Sequence, residues 1–131
     1  MERPKQLSEL QLAILRVLWR EEEATVARVQ EALRGEGRDL AHTSVATMLS
    51  RLETRGAVGR RTEGRQLVYR ALVAEQDVRR SMVSALTERL FAGDSTALVH
   101  HLIDEGAIDA DELARLRKLL AAKRRGGGDR A

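Results

Sequence analysis

One stretch limits what this chain can fold into more than any other: Ala41 to Gly56, AHTSVATMLSRLETRG. Val45, Met48, Leu49 and Leu52 stand at i, i+3, i+4 and i+7, the spacing that puts apolar side chains on one face of a helix. A step of roughly 100° per residue turns Thr43, Ala46, Thr47, Ser50 and Thr54 to the opposite face, with Arg51 on its flank. Solvated helix faces are usually rich in Lys and Glu. This one is small, uncharged and able to donate and accept hydrogen bonds, so it can approach the edge of a base closely, and the flanking Arg suits a phosphate or a guanine. Taken by itself, a Thr/Ser-rich helix turned to solvent would show the same face. The residues that follow decide between the two.

Gly56 is placed to close the helix in the left-handed conformation. Ala57 to Leu72, AVGRRTEGRQLVYRAL, then gives two short extended runs about Glu63-Gly64, which reads as a hairpin turn. Arg60, Arg61, Arg65 and Arg70 lie along this hairpin, and Glu63 is the one acid within it. A helix with a small polar face followed by a basic hairpin is the order of a winged helix-turn-helix, in which the helix enters the major groove and the wing follows the phosphates. A basic hairpin alone is usually a soluble sheet edge. The two elements in this order point to nucleic acid.

The charge distribution agrees. Residues 1–74 carry 13 Lys/Arg against 10 Asp/Glu and residues 75–131 carry 10 of each, so the whole net charge of +3 lies in the front part. Within residues 42–70 the balance is 6 to 2. Double-stranded DNA is the partner this suggests. A length of 131 residues allows one or two small domains. With Trp19, Tyr69 and Phe91 as the only aromatic residues, the core must be built from Leu, Val, Ala and Ile. The absence of Cys excludes a disulfide framework, a Cys-ligated metal and a redox thiol. No apolar run approaches the roughly 20 residues that span a bilayer, and the N-terminus has no signal-peptide core, so no membrane insertion and a cytoplasmic location are expected.

Taken in order, Met1 to Gln6 reads as a disordered lead-in. Ser8 and Gln11 have the spacing of a capping box, opening a helix whose stripe is Leu7, Leu10, Ile14, Val17 and Leu18. Trp19 reads as a core residue anchoring this helix to the wing rather than as a stacking platform for a base. Glu21 to Glu23 reads as a solvated acidic turn, or else as a patch that discourages DNA on that side. Thr25 caps a second helix with Val26, Val29 and Leu33 inward; Gly35 and Gly37 mark its end, and a polar, mobile loop follows to Leu40. Arg28 and Arg34 on this helix read as solvated charges, with phosphate contact the alternative.

From Glu75 the pattern is one of longer helices. Val78, Met82, Leu86, Leu90 and Phe91 form one stripe; Gly93-Asp94-Ser95 breaks it, and Ser95 is read as the cap of a helix carrying Leu98, Val99, Leu102 and Ile103. Gly106 ends that helix, and Asp109 and Glu112 make a capping box for a last one with Leu113, Leu116, Leu119 and Leu120 inward. Three such helices bury too little surface alone, so a second copy of the chain is the economical partner. The expected division is a DNA-binding domain over residues 1–74, a helical dimerisation domain over 75–123 and a disordered tail over 124–131. The architecture is mainly α with a small β wing. The dimer is expected to form through Val78, Met82, Leu86, Leu90, Leu98, Leu102, Leu113, Leu116 and Leu120.

No catalytic constellation is present, so an enzyme, a cofactor and a metal are not expected. His100 and His101 are adjacent and diverge by about 100° on a helix, without the i, i+4 spacing of a helical zinc pair. Asp104, Asp109, Asp111 and Glu112 sit at helix ends, where capping accounts for them. The glycines Gly126 to Gly128 lie in the tail, not between a strand and a helix.

Four segments, LSELQLAILRVLW, ATVARVQEAL, HTSVATMLSRLETRGAVGRRTEGRQLVYRALV and TALVHHLIDEGAIDADELARLRKLL, together resemble the penicillinase-repressor family, the BlaI/MecI/CopY transcriptional repressors. The likeness runs from about Leu7 to Leu120 and is most specific in the T-x-V-x-T-M-L-x-R-L-x-x-x-G run and the wing after it. It implies a winged-helix domain joined to a helical dimerisation domain, in homodimers that repress genes at inverted-repeat operators. By position it places Thr43, Thr47 and Arg51 on the DNA side of the recognition helix, His42 at the start of that helix, and Arg61 and Arg65 in the wing. The copper-responsive members carry a cysteine-rich C-terminal hook, which this chain lacks. The β-lactam-responsive members are cut by a membrane sensor protease at an Asn-Phe bond; the matching pair here is His101-Leu102, which the resemblance makes the place of any cut. A small-molecule-responsive winged-helix regulator and a helical adaptor that binds no DNA are the alternatives. The adaptor fits less well, because protein-binding patches are richer in aromatics than the Thr43/Thr47/Arg51 face.

Overall fold

In the computed structural model, which describes residues 7–128, α1 (Glu9–Glu21), α2 (Val26–Gly35) and α3 (His42–Thr54) pack on a small sheet of β1 (Ala24–Thr25), β2 (Val58–Glu63) and β3 (Gln66–Ala71). The expected lead-in, Met1 to Gln6, lies outside the described residues. Both oxygens of the anticipated capping box are in place on α1: Ser8 Oγ accepts from the Gln11 N–H and Gln11 Oε1 from the Ser8 N–H, each at 3.1 Å. Below the cap, Ile14, Leu15, Val17 and Leu18 are buried. The Trp19 indole donates to the Val73 carbonyl at 2.9 Å, tying α1 to the chain just past the wing, as an anchoring role requires.

The strand β1 is only two residues long and leaves no period in the sequence. It pairs antiparallel with β3, Ala24 opposite Tyr69 and Thr25 opposite Val68, so that β3 is central in the order β1-β3-β2. Thr25 then caps α2 by accepting from the Arg28 N–H at 3.1 Å. The α2 helix ends in a Schellman closure at Gly37 (φ +87°), with the Arg38 N–H bonded to the Leu33 carbonyl at 2.9 Å. Val29 and Leu33 of α2 meet Val45, Leu49 and Leu52 of α3 in one core with no exposed surface on any of the five. Met48, the fourth residue of the α3 stripe, is half-buried against that core.

At the far end of α3, Gly56 (φ +82°) closes a second Schellman motif: its N–H reaches Glu53 and the Ala57 N–H reaches Leu52, both at 2.9 Å. This closure turns the chain straight into β2. The hairpin turn lies one residue beyond the expected Glu63-Gly64. Glu63 pairs with Gln66, which leaves Gly64-Arg65 as the two-residue loop. Gly64 takes φ +64° at the first loop position, where a tight hairpin needs a residue free of the Cβ penalty. Arg65 is therefore at the tip of the wing.

The chain divides between Met82 and Val83, within α4 (Glu75–Phe91). The second unit holds the rest of α4 with α5 (Ser95–Asp104) and α6 (Ala110–Gly128). Asp94, not Ser95, caps α5, accepting from the Ala97 N–H at 3.1 Å. Asp94 keeps the extended backbone of a cap, whereas Ser95 is already the first helical residue. The Asp109/Glu112 capping box of α6 forms as expected, at 2.8 and 2.9 Å. Helix α6 runs on to Gly128, because adding residues to an existing helix is far easier than starting one. It therefore takes in residues 124–128 of the stretch read as a disordered tail; residues 129–131 lie outside the described residues. Among the described residues of this unit only Thr87 is buried. Val83, Leu86, Leu90, Val99, Ile103, Leu116, Leu119 and Leu120 are all exposed.

Candidate nucleic-acid interface

The apolar stripe of α3 fixes which side of the helix is left outside. Thr43, Thr47, Ser50, Arg51 and Thr54 are exposed and Ala46 is half-buried, as the helical step predicts; His42, the first helical residue, is exposed too. The Thr54 hydroxyl donates back to the Ser50 carbonyl at 3.1 Å, which occupies its proton and leaves the hydroxyls of Thr43, Thr47 and Ser50 to an outside partner. Side chains cap α1, α2, α5 and α6. None caps α3, where Ala41 holds the cap position. The N–H groups of His42 and Thr43 are thus left open among the described residues, while that of Ser44 is taken by the Ala41 carbonyl at 3.0 Å.

The wing is less uniformly basic than its sequence. Side chains alternate faces along a strand, so Arg60 and Arg61 lie on opposite sides of the sheet. Arg60, in the row of Tyr69 and Ala24, is on the core side and meets Glu53 of α3 at 3.3 Å. Arg61 is on the outer side with Val68 and Thr25 and is held by Glu23, at 2.7 Å from Nη2 and 3.4 Å from Nε, with a Glu63 oxygen at 3.6 Å. Arg60 and Arg61 are each neutralised within the protein, and only one of them lies on the outer face. Arg51 and Arg65 are exposed and form no ion pair among the described residues. They are the uncompensated cations of the helix and of the wing tip.

The acidic run Glu21 to Glu23 is a turn with Glu22 and Glu23 exposed, as expected, but two of its carboxylates are engaged by arginines. Glu21 accepts two bonds from Arg28, at 2.7 and 2.8 Å, and Glu23 holds Arg61. These bonds from Arg28 and Arg61 keep both carboxyls below the usual carboxylate range. A lowered carboxyl pKa contributes stability that is present above the unfolded value and lost as pH falls through the folded one, so both pairs stay intact at neutral pH. Arg28 also touches Glu31 at 3.2 Å, and Arg34 lies 3.5 Å from Asp39, so each is compensated within its own region. The parts played by Glu23 and Glu53 were not legible in the sequence; a β1 register would have been needed to place Glu23 beside the wing. Of the other titratable residues, His100 pairs with Asp104 at 3.2 Å and the His101 ring lies 6.0 Å from that of Phe91. Among the described residues, no three His, Cys, Asp or Glu side chains gather as metal ligands would.

A helical pair α2–α3 running into the β2–β3 hairpin, with β1 closing the sheet, makes this a winged-helix protein. Residues 7–122 match the model of the penicillinase repressor family, and the chain belongs to that family of transcriptional repressors, which are not enzymes. It is 35% identical over 126 residues to the transcriptional regulator BlaI of Mycobacterium tuberculosis, covering 95% of this chain and 89% of that one. It is 23% identical over 120 residues to the penicillinase repressor of Bacillus licheniformis, covering 92% and 93%. Among solved structures, the DNA-binding domain of the repressor BlaI matches with a TM-score of 0.50 at 28% identity, over 59% of this chain and 93% of that one. No helix of the described residues is long and apolar enough to cross a membrane.

Proposed function

We propose that this chain is a cytoplasmic, homodimeric repressor in which each subunit lays α3 in the major groove of one half of an inverted-repeat operator. The observation that carries this reading is the outer face of α3: exposed Thr43, Thr47 and Ser50 beside an uncompensated Arg51, on a helix whose other face is locked into the core. Hydroxyls and a guanidinium at that spacing read base edges, while Arg65 at the wing tip takes a phosphate. The names of the relatives, and the DNA-binding domain of BlaI in particular, support the same use of the surface. Selection of duplexes from a random-sequence library, followed by gel shift, tests it. A selected inverted repeat is expected, and failure to enrich any sequence overturns it.

Arg65→Ala is expected to weaken selected and scrambled duplexes by the same factor and to make log K against log salt shallower by about 1, the effect of losing one phosphate contact. An unchanged salt slope in a titration from low to physiological salt would remove Arg65 from the interface.

We assign residues 1–74 to DNA binding and 75–123 to dimerisation. Support for the second assignment is the exposure of Leu86, Leu90, Leu116 and Leu120 on a unit with almost no buried core, in which Leu98, Leu102 and Leu113 are half-buried; Val78 and Met82, on the part of α4 that belongs to the first unit, are half-buried as well. Repression is relieved, in this proposal, by a sensor protease in the membrane that cuts at or beside His101-Leu102. That bond lies inside α5, so the helix must unwind locally before it fits a protease cleft. A cut there separates α6 and its leucines from the rest of the subunit. Full-length chain recovered from fully derepressed cells, read by mass spectrometry, excludes this route.

A further inference from the structure

The outer face of the sheet carries two arginines, Arg61 and Arg70, and one of the two acids that balance them comes from outside the hairpin. That acid is Glu23. Its position is set by a sharp exit from α1: Glu22 takes φ +72°, unusual for a residue with a side chain, and Glu23 then stands immediately before the two-residue β1. The β1–β3 register puts Glu23 next to the Arg70 row, on the same face as Thr25, Val68 and Arg61. From there it reaches across the central strand and grips Arg61 side-on through both carboxylate oxygens, at 2.7 and 3.4 Å. Two-point contact of this kind fixes the plane of the guanidinium as well as its charge. Glu63 adds a second carboxylate at 3.6 Å.

A guanidinium flanked by two carboxylates offers little to a passing phosphate. Non-specific binding to DNA is almost wholly an exchange of phosphates for counterions, so it is sensitive to every cation that is free to join. We propose that Glu23 is a specificity-determining residue of this repressor: it withholds Arg61 from the phosphates of non-operator DNA and releases it only when α3 is seated in its operator. The inference rests on α3 and the hairpin being the DNA interface. Arg65 and Arg51, which have no such partner, supply the contacts made in both modes. Glu23 thereby lowers the background against which the operator is found, at little loss to the operator complex itself.

Glu23→Gln tests this, because the amide keeps the shape of the side chain and removes its charge. Binding is measured with the full-length protein on the library-selected duplex and on a scrambled duplex, over a range of salt. Affinity for the scrambled duplex should rise on the order of twofold to fivefold, the worth of an exposed ion pair. Its salt slope should steepen by about 1 as one more phosphate is engaged. Affinity for the selected duplex should change less, so the ratio between the two falls. In an Arg61→Gln background the same Glu23→Gln change should have a much smaller effect on either duplex, since the two-point contact is already gone and only the through-space hold of Glu23 on Arg70 remains to be released. An unchanged scrambled-duplex affinity and slope overturns the proposal. So does an equal gain on both duplexes, or a gain undiminished by the loss of Arg61, because either marks a general loss of repulsion. Should Glu23→Gln not fold, Glu23→Ala is read in the same way. If instead no selected duplex exists at all, it is the DNA-binding reading that fails.

Discussion

Leu120→Glu should convert the protein to a monomer at micromolar concentration and lower its affinity for the selected duplex by roughly 10²–10⁴-fold, because two linked binding modules become two independent ones. Leu120 is 59% exposed in the single chain, so the substitution removes little from the subunit's own fold. In the proposed dimer the same side chain is buried, and a carboxylate there loses its hydration without gaining a partner, which costs several kcal/mol. Leu116→Glu, at 42% exposure, should act in the same direction. Sedimentation velocity gives the assembly state and gel shift the affinity. A Leu120→Glu protein that remains dimeric moves the interface away from α6, and one that is monomeric yet binds unchanged removes the need for a dimer.

Arg51→Ala and Thr47→Ala should act on sequence preference rather than on assembly. Both side chains project from the exposed face of α3, and neither belongs to the buried core formed by Val45, Leu49 and Leu52. Each should weaken the selected duplex by roughly 1–3 kcal/mol while leaving the thermal melt of the protein in place. The loss should be confined to particular base pairs: a panel of single-base variants of the duplex should go flat at the positions that the missing side chain reads. Arg65→Ala, by contrast, should shift the whole panel together.

Much of this surface was open to reading in the sequence because it depends on local period. The 3.6-residue repeat of Val45, Met48, Leu49 and Leu52 fixes which side of α3 is outside, and the Schellman glycine Gly56 fixes where the wing begins. The capping boxes Ser8/Gln11 and Asp109/Glu112 are equally local and formed as read. What was illegible depends on pairing between distant residues. A two-residue strand such as β1 has no period, so the placement of Glu23 beside Arg61, 38 residues away, leaves no trace in composition. The turn shifted by one residue for a related reason: Glu63-Gly64 and Gly64-Arg65 are both acceptable hairpin loops, and the register of Val58 against Ala71 chooses between them. That choice moved Arg65 to the tip, and the alternation along β2 put Arg60 and Arg61 on opposite faces; no count of basic residues carries either.

The central claim is that two subunits each place α3 in one half of a symmetric operator. Hydroxyl-radical footprinting of the full-length protein on the library-selected duplex tests it most directly. Two protected patches, related by the dyad of the repeat and spaced by one helical turn of about 10 base pairs or a multiple of it, are the predicted result. Both patches should fade together with Leu120→Glu. A single patch at saturating protein, or two patches that survive intact in a Thr47→Ala/Arg51→Ala variant, would contradict the account.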